Sequence, residues 1–270
     1  MFGAIIGDVV GSVYEWNNIK RTDFPLFVED SFFTDDTVMT VAVAAGLLSL
    51  GDDELGDDEK VRCAIREAMV DYGRRYPDSG YGSRFRDWLF GEDHLPYNSY
   101  GNGSAMRVSP VAYFAKDLKD ALRLARLSAE VTHNHVEGIR GAEAVAGCIY
   151  LSLSGGSKGE IRSFVEKDYY SLDFSLDDIR DTYSFDVSCQ GSVPIALEAF
   201  IEGDSFESVV RLAISVGGDS DTIAAIAGSI GEAFYGIPSV LKEEVISRLD
   251  TPLLAVVETF CKRFSIVDIC

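Results

Sequence analysis

Histidine and proline are scarce in this chain, three and seven among 270 residues, and basic side chains are outnumbered, 24 against 44 acidic ones. Each shortage excludes something. A formal charge of −20 argues against a sequence-independent grip on DNA or RNA phosphates, because that grip is built from lysine and arginine. Any nucleotide-like ligand must therefore be held locally. The five cysteines (Cys63, Cys148, Cys189, Cys261, Cys270) are odd in number, widely spaced and free of any C-x-x-C. They suggest neither a disulfide framework nor a zinc site, and they fit a reducing cytoplasm. No Pro/Gly/Ser-rich linker divides the chain, since the richest loop, Ser152 to Glu160, is short and lies between two helix-like segments. One domain spanning 1–270 is expected. The N-terminal "MFGAIIGDVVGSVYEW" has no basic leader and carries Asp8 inside its apolar run, so a signal peptide is not expected. No uncharged run approaches the roughly 20 residues of a membrane span.

What is present is helical periodicity. Hydrophobic residues make up 47% of the chain, enough for a sizeable core. Segments near 36–49, 60–76, 118–133, 137–153, 192–202, 205–216, 221–235 and 250–264 place apolar residues at i, i+3, i+4 spacing, whereas period-two alternation is scarce. An all-α bundle follows. Ala224, Ala225, Ala227, Gly228 and Gly231 make one helix small on one face, which predicts close helix packing at the centre of the bundle. The acidic "GDDELGDDEK" of Gly51 to Lys60 lacks the glycine and glutamate register of an EF-hand and reads as a solvated loop.

Two acidic clusters share one design. Thr34, Asp35, Asp36 and Thr37 precede an alanine-rich helix, and Asp219, Ser220, Asp221 and Thr222 precede another. Helix capping explains one acid per helix. A second adds like-charge repulsion that capping does not offset, whereas adjacent carboxylates beside hydroxyls suit a hard divalent cation. With few histidines and no cysteine cluster, magnesium or manganese is favoured over zinc. Both readings, metal and double capping, remain open at this level.

Asp8 and Glu15 are seven residues apart and are expected on one side of a helix. Flanked by Tyr14 and Trp16, Glu15 is a candidate general acid or base if partly desolvated, or otherwise a solvent-facing residue. The loop "YNSYGNGSAMRVSP" (Tyr97 to Pro110) offers backbone N–H groups to a pyrophosphate, without the spacing of a Rossmann fingerprint. In "THNH" (Thr132 to His135) the two histidines do not share a helical face, so core or substrate contact is expected rather than metal ligation.

Taken in order, "GAIIGDVVGSVYE", "FTDDTVMT", "YGNGSAMR", "VTHNH", "CQGSVPIALEAF" and "AISVGGDSDTIAAIAGSIGEAFYG" resemble the ADP-ribosylglycohydrolase family over nearly the whole chain. The resemblance implies an all-α, single-domain orthogonal helical bundle holding two magnesium ions, with manganese as a possible substitute. It implies Thr34, Asp35 and Asp36 as ligands from one side and Asp219, Asp221 and Thr222 from the other, with Asp35 and Glu15 as catalytic residues. It also implies an ADP-ribose groove lined by Gly101, Asn102, Gly103 and Ser104, with His133 near the substrate; His135 departs from the pattern. The expected activity is hydrolysis of the N- or O-glycosidic bond between ADP-ribose and a protein or small-molecule acceptor. That bond breaks through an oxocarbenium-like state. A monomer without direct nucleic-acid or membrane affinity is expected. The alternatives are a catalytically silent ADP-ribose binder of the same fold and a metal-dependent phosphoesterase.

Overall fold

The computed structural model describes residues 1–266. Cys270 lies outside them, and the other four cysteines are free thiols. Among the described residues there are fifteen α-helices and no strand; one antiparallel bridge joins Gly101 to Ser188. In chain order the helices begin with α1 (Phe2–Gly11), α2 (Asp35–Leu48), α3 (Asp58–Arg75) and α4 (Ser83–Phe90). Two short helices, α5 (Gly103–Met106) and α6 (Val111–Phe114), lead to α7 (Leu118–Glu130), α8 (Val136–Leu153), α9 (Lys158–Asp168) and α10 (Leu176–Ile179). The remainder are α11 (Cys189–Glu202), α12 (Phe206–Ser215), α13 (Ser220–Tyr235), α14 (Ser239–Ile246) and α15 (Thr251–Phe264).

All eight periodic segments fold as helices, with ends shifted by at most three residues. Local caps set those ends. Asp117 accepts from the Asp120 N–H at the start of α7, Ser157 and Glu160 form a capping box on α9, and Asp250 accepts from Leu253 N–H on α15. The acidic stretch 51–60 is not wholly a loop: it makes a 3-10 turn at Glu54–Gly56, and Asp57 caps α3. Helices α4 and α14, at eight residues each, are too short to display a helical period.

Buried apolar side chains from Met1 to Cys261 form one contiguous cluster. At its centre α1 lies against α13, and every residue of α1 is buried. Glycines permit the contact. A Cβ on Gly3 would sit 2.1 Å from the Gly228 carbonyl oxygen, one on Gly7 2.1 Å from that of Ala224, and one on Gly11 2.4 Å from the Asp221 Cα. The small face expected on α13 thus meets a matching i, i+4, i+8 glycine stripe on α1, so the two backbones touch. This contact brings Asp8 beside the start of α13. One expectation is corrected here: α1 ends at Gly11, and Glu15 lies beyond it in a turn, not on a helical face with Asp8. No helix among the described residues is long and apolar enough to cross a membrane.

Candidate active site

The first four N–H groups of a helix lack intrahelical partners. At the start of α2 two of these donors, Thr34 N–H and Thr37 N–H, are met from another helix. Asp8 of α1 is fully buried; its Oδ1 accepts from Thr34 Oγ1 (2.7 Å), and its Oδ2 accepts from Thr34 N (2.9 Å), Thr37 N (3.0 Å) and Thr37 Oγ1 (2.5 Å). Thr34 is the N-cap, accepting from Asp36 N–H at 3.3 Å. Asp35 and Asp36 are therefore not needed as caps. Asp36 Oδ2 accepts from Thr222 Oγ1 at 2.9 Å, while Asp36 Oδ1 is buried with no hydrogen-bond partner among the described residues.

At the start of α13, Asp219 occupies the N-cap position yet makes no capping bond; its Oδ2 accepts from Asn102 Nδ2 at 2.6 Å. The chain enters through Gly217 and Gly218 at φ +68° and +75°, a left-handed pair that glycine adopts without Cβ strain. Asp221 is buried, and its Oδ1 accepts from Thr222 N–H at 2.9 Å.

These acids converge. One carboxylate oxygen from each of Asp8, Asp36 and Asp221 lies within 4.8 Å of the others, and the same holds for Glu15, Asp219 and Asp221. Asp221 belongs to both groups. Burial, reinforced by the neighbouring carboxylates, raises the pKa values of Asp35, Asp36 and Asp221 well above the usual range. Burial, followed by the charges of Asp219 and Asp8, lifts Glu15 to about 7. Burial lifts Asp8 to about 6 against the opposing bonds from Thr37 and Thr34.

An unpartnered buried carboxylate oxygen is costly unless something cationic meets it. The donor set is all oxygen and mostly anionic, which fits magnesium or manganese rather than zinc. Asp36, Asp219 and Asp221 are the residues best placed to hold such ions. Asp8 spends its acceptor capacity on Thr34 and Thr37, so it braces α2. Asp35 joins neither group; its backbone N–H bonds the Ser79 carbonyl at 2.7 Å, and its side chain lines the cleft above.

That cleft, about 620 Å³, is floored by Asp35, Asp36, Asp219, Asp221 and Thr222. Gly101, Asn102, Gly103 and His133 line it. Ser104 does not; it is fully buried, and its hydroxyl donates to the Gly138 carbonyl at 2.7 Å, tying α5 to α8. His135 caps α8 by accepting from Glu137 N–H at 3.1 Å. Two arginines escaped the sequence reading. Arg84 lies over the Tyr97 ring at 4.9 Å, and Arg107 is buried with no carboxylate partner among the described residues. Arg107 instead donates to Gly103 O (3.0 Å), Ser128 O (3.0 Å) and Thr132 Oγ1 (2.9 Å), and burial lowers its pKa to about 10. The only hint in the sequence was the arginine closing "YGNGSAMR".

Burial, followed by the charges of Arg107 and Arg84, pushes the His133 pKa well below 6.5, so its ring is neutral. Thr132 Oγ1, which already accepts from Arg107, lies 2.6 Å from His133 Nδ1. All partners are satisfied when the hydroxyl donates to Nδ1 and the ring proton sits on Nε2. A Cβ on Gly103 would lie 3.1 Å from that Nε2, so the glycine leaves room for the ring. The cleft thus has an acidic floor and a wall that bears cationic and N–H donor groups.

The sequence profile of the ADP-ribosylglycohydrolase family matches residues 1–267. The chain belongs to that family. As a member it is classed with hydrolases of glycosyl compounds. Human ADP-ribosylhydrolase ARH3 is 30% identical over 88% of this chain and 85% of its own length. ADP-ribosylarginine hydrolase Tri1 of Pseudomonas putida (strain GB-1) is 24% identical over 91% of this chain and 72% of its own. A solved ADP-ribosylglycohydrolase-related protein complex superposes with a TM-score of 0.69 at 24% identity, covering 97% of this chain and 95% of that one, and has the same all-α fold. In this family member the acids of α2 and α13 and the glycine loop before α5 share one cleft.

Proposed function

We propose that this chain is a magnesium-dependent hydrolase that cleaves the N- or O-glycosidic bond between ADP-ribose and an acceptor, acting as a cytoplasmic, single-domain monomer. The observation that carries this reading is the pair of carboxylate groups sharing Asp221 beneath a cleft with a cationic wall. Asp36, Asp219 and Asp221 would hold two divalent cations, with Thr34, Asp35 and Thr222 adjoining. When bound, such ions supply Lewis-acid chemistry that steadies developing charge and lowers the pKa of water.

The protein groups do the rest. Glu15, with a pKa of about 7 at the edge of the acidic floor, exchanges a proton with the attacking water or the leaving group near neutral pH. The Gly101–Gly103 backbone, Arg107 and Arg84 hold the diphosphate, which accounts for anion binding by a chain of charge −20. Neutral His133 donates from Nε2 without adding charge. The name of one relative, Tri1, points to ADP-ribosyl arginine as an acceptor to test first.

The test is incubation with ADP-ribosylated arginine, ADP-ribosylated serine, ADP-ribosylated nucleic acid and O-acetyl-ADP-ribose, with magnesium or with EDTA, following ADP-ribose release. Magnesium-dependent release from at least one conjugate is expected. Binding of ADP-ribose without release from any would instead identify a silent binder, and AMP or phosphate from ADP-ribose a phosphoesterase.

A further inference from the structure

Glu15 carries the acid–base role in this reading, yet it sits on a turn after α1. Tyr14 N–H and Glu15 N–H both bond the Gly11 carbonyl, at 2.8 and 3.1 Å, and no further helix follows until α2. A carboxyl that must reach Asp219 and Asp221 needs that turn held still. Placement errors of about 1 Å can lower a rate a hundredfold.

Asn18 supplies the hold. Its Nδ2 donates to the carbonyls of Tyr14 (2.8 Å), Glu15 (2.8 Å) and Gly218 (3.1 Å), and its Oδ1 accepts from Gly218 N–H at 2.7 Å. One side-chain amide thus joins the Glu15 turn to the residue before Asp219, 200 positions away. The receiving loop is shaped for it, since a Cβ on Gly217 would lie 2.9 Å from Asn18 Oδ1. Neighbouring contacts run the same way. Lys20 Nζ donates to Tyr183 O (2.8 Å) and Val216 O (2.5 Å), and exposed Trp16 stacks on Phe185 at 5.3 Å.

We infer that Asn18 is a positioning residue that sets the Glu15 carboxyl against Asp219 by clamping the turn at 14–18 to the Gly217–Gly218 loop. The inference rests on the reading of Glu15 as the proton carrier. A carboxamide suits the role because it both donates and accepts. Aspartate in its place has no donor and faces three carbonyl oxygens with a negative charge.

Asn18 is exposed, so its variants are expected to fold. Asn18→Asp and Asn18→Ala should lower kcat on a cleaved conjugate roughly ten- to hundredfold while KM moves less than about threefold. Hydrogen exchange at 15–18 and 217–219 should quicken, with the thermal midpoint little changed. In a Glu15→Gln background, Asn18→Asp should lower kcat no further, because the two act as a unit. An additive effect on top of a damaging Glu15→Gln, or unchanged kcat in both Asn18 variants, overturns the inference and leaves the hydrolase reading standing. Unaltered turnover in Glu15→Gln removes the proton-carrier role, and this inference with it; so does a wild type that turns over no conjugate.

Discussion

Asp36 and Thr222, 186 positions apart, are joined by a 2.9 Å hydrogen bond from the threonine hydroxyl to Oδ2, and the other oxygen of Asp36 is buried without a partner among the described residues. That single contact sets the starts of α2 and α13 face to face and leaves a carboxyl oxygen that no donor among the described residues meets. Capping alone would not produce it.

Asp36→Asn keeps the shape and removes the charge. Magnesium affinity measured by calorimetry should fall more than about tenfold, while the thermal stability of EDTA-treated protein should hold or rise, since the carboxyl that burial and its acidic neighbours disfavour in charged form is gone. Asp221→Ala should remove magnesium binding and hydrolysis together, because Asp221 serves both carboxylate groups. Unchanged magnesium affinity in both variants would overturn the metal reading of the clusters.

Glu15→Gln should lower kcat by about 10²- to 10⁴-fold, the usual contribution of a general acid or base, with magnesium affinity changed by less than that of Asp221→Ala. The pH profile of kcat should also lose its inflection near 7, where the Glu15 carboxyl titrates.

Gly7→Ala tests the helix contact behind the site. With 2.1 Å between the new Cβ and the Ala224 carbonyl, α1 and α13 must separate, and urea unfolding should show a loss of about 1–3 kcal/mol or more. Magnesium affinity should weaken as well, since Asp8 holds the start of α2 and its shift carries Asp36 away from Asp221.

His133 provides a pH signature. Its ring is neutral in the folded protein and takes up a proton near pH 6.5 once unfolded. The unfolded state therefore binds more protons below that pH, and stability falls as pH drops from about 6.5 toward the depressed folded value, by up to about 1.4 kcal/mol per unit. Comparing wild type with His133→Asn by urea unfolding between pH 7.5 and 5, the stability advantage of wild type should shrink on acidification. A pH-independent difference would mean that the imidazole titrates normally.

The helices were readable because burying one stripe of a helix imposes a period of 3.6, as in α12, where Phe206, Val209, Val210, Ala213 and Ile214 are buried. The paired acids were readable because two per helix exceed what capping requires. The bracing role of Asp8 was not readable because a cap is looked for in the residues just before a helix, and this one arrives from α1 across the core. The glycine stripe Gly3, Gly7, Gly11 was present to be read, but its meaning depends on the facing residues of α13. Ser104 sits in the loop motif, yet its hydroxyl turns toward Gly138, a direction that sequence spacing does not encode.

Residue type and local period were sufficient for an all-α chain with two oxygen-rich helix starts and a glycine loop. Which carboxylate oxygens are left over was settled only when α1 met α13. Hydrogen bonds are shared out among whatever donors the packing brings within about 3 Å, and that inventory exists only in three dimensions. Asp8 receives four donors, Asp219 is met by Asn102, and one oxygen of Asp36 receives none.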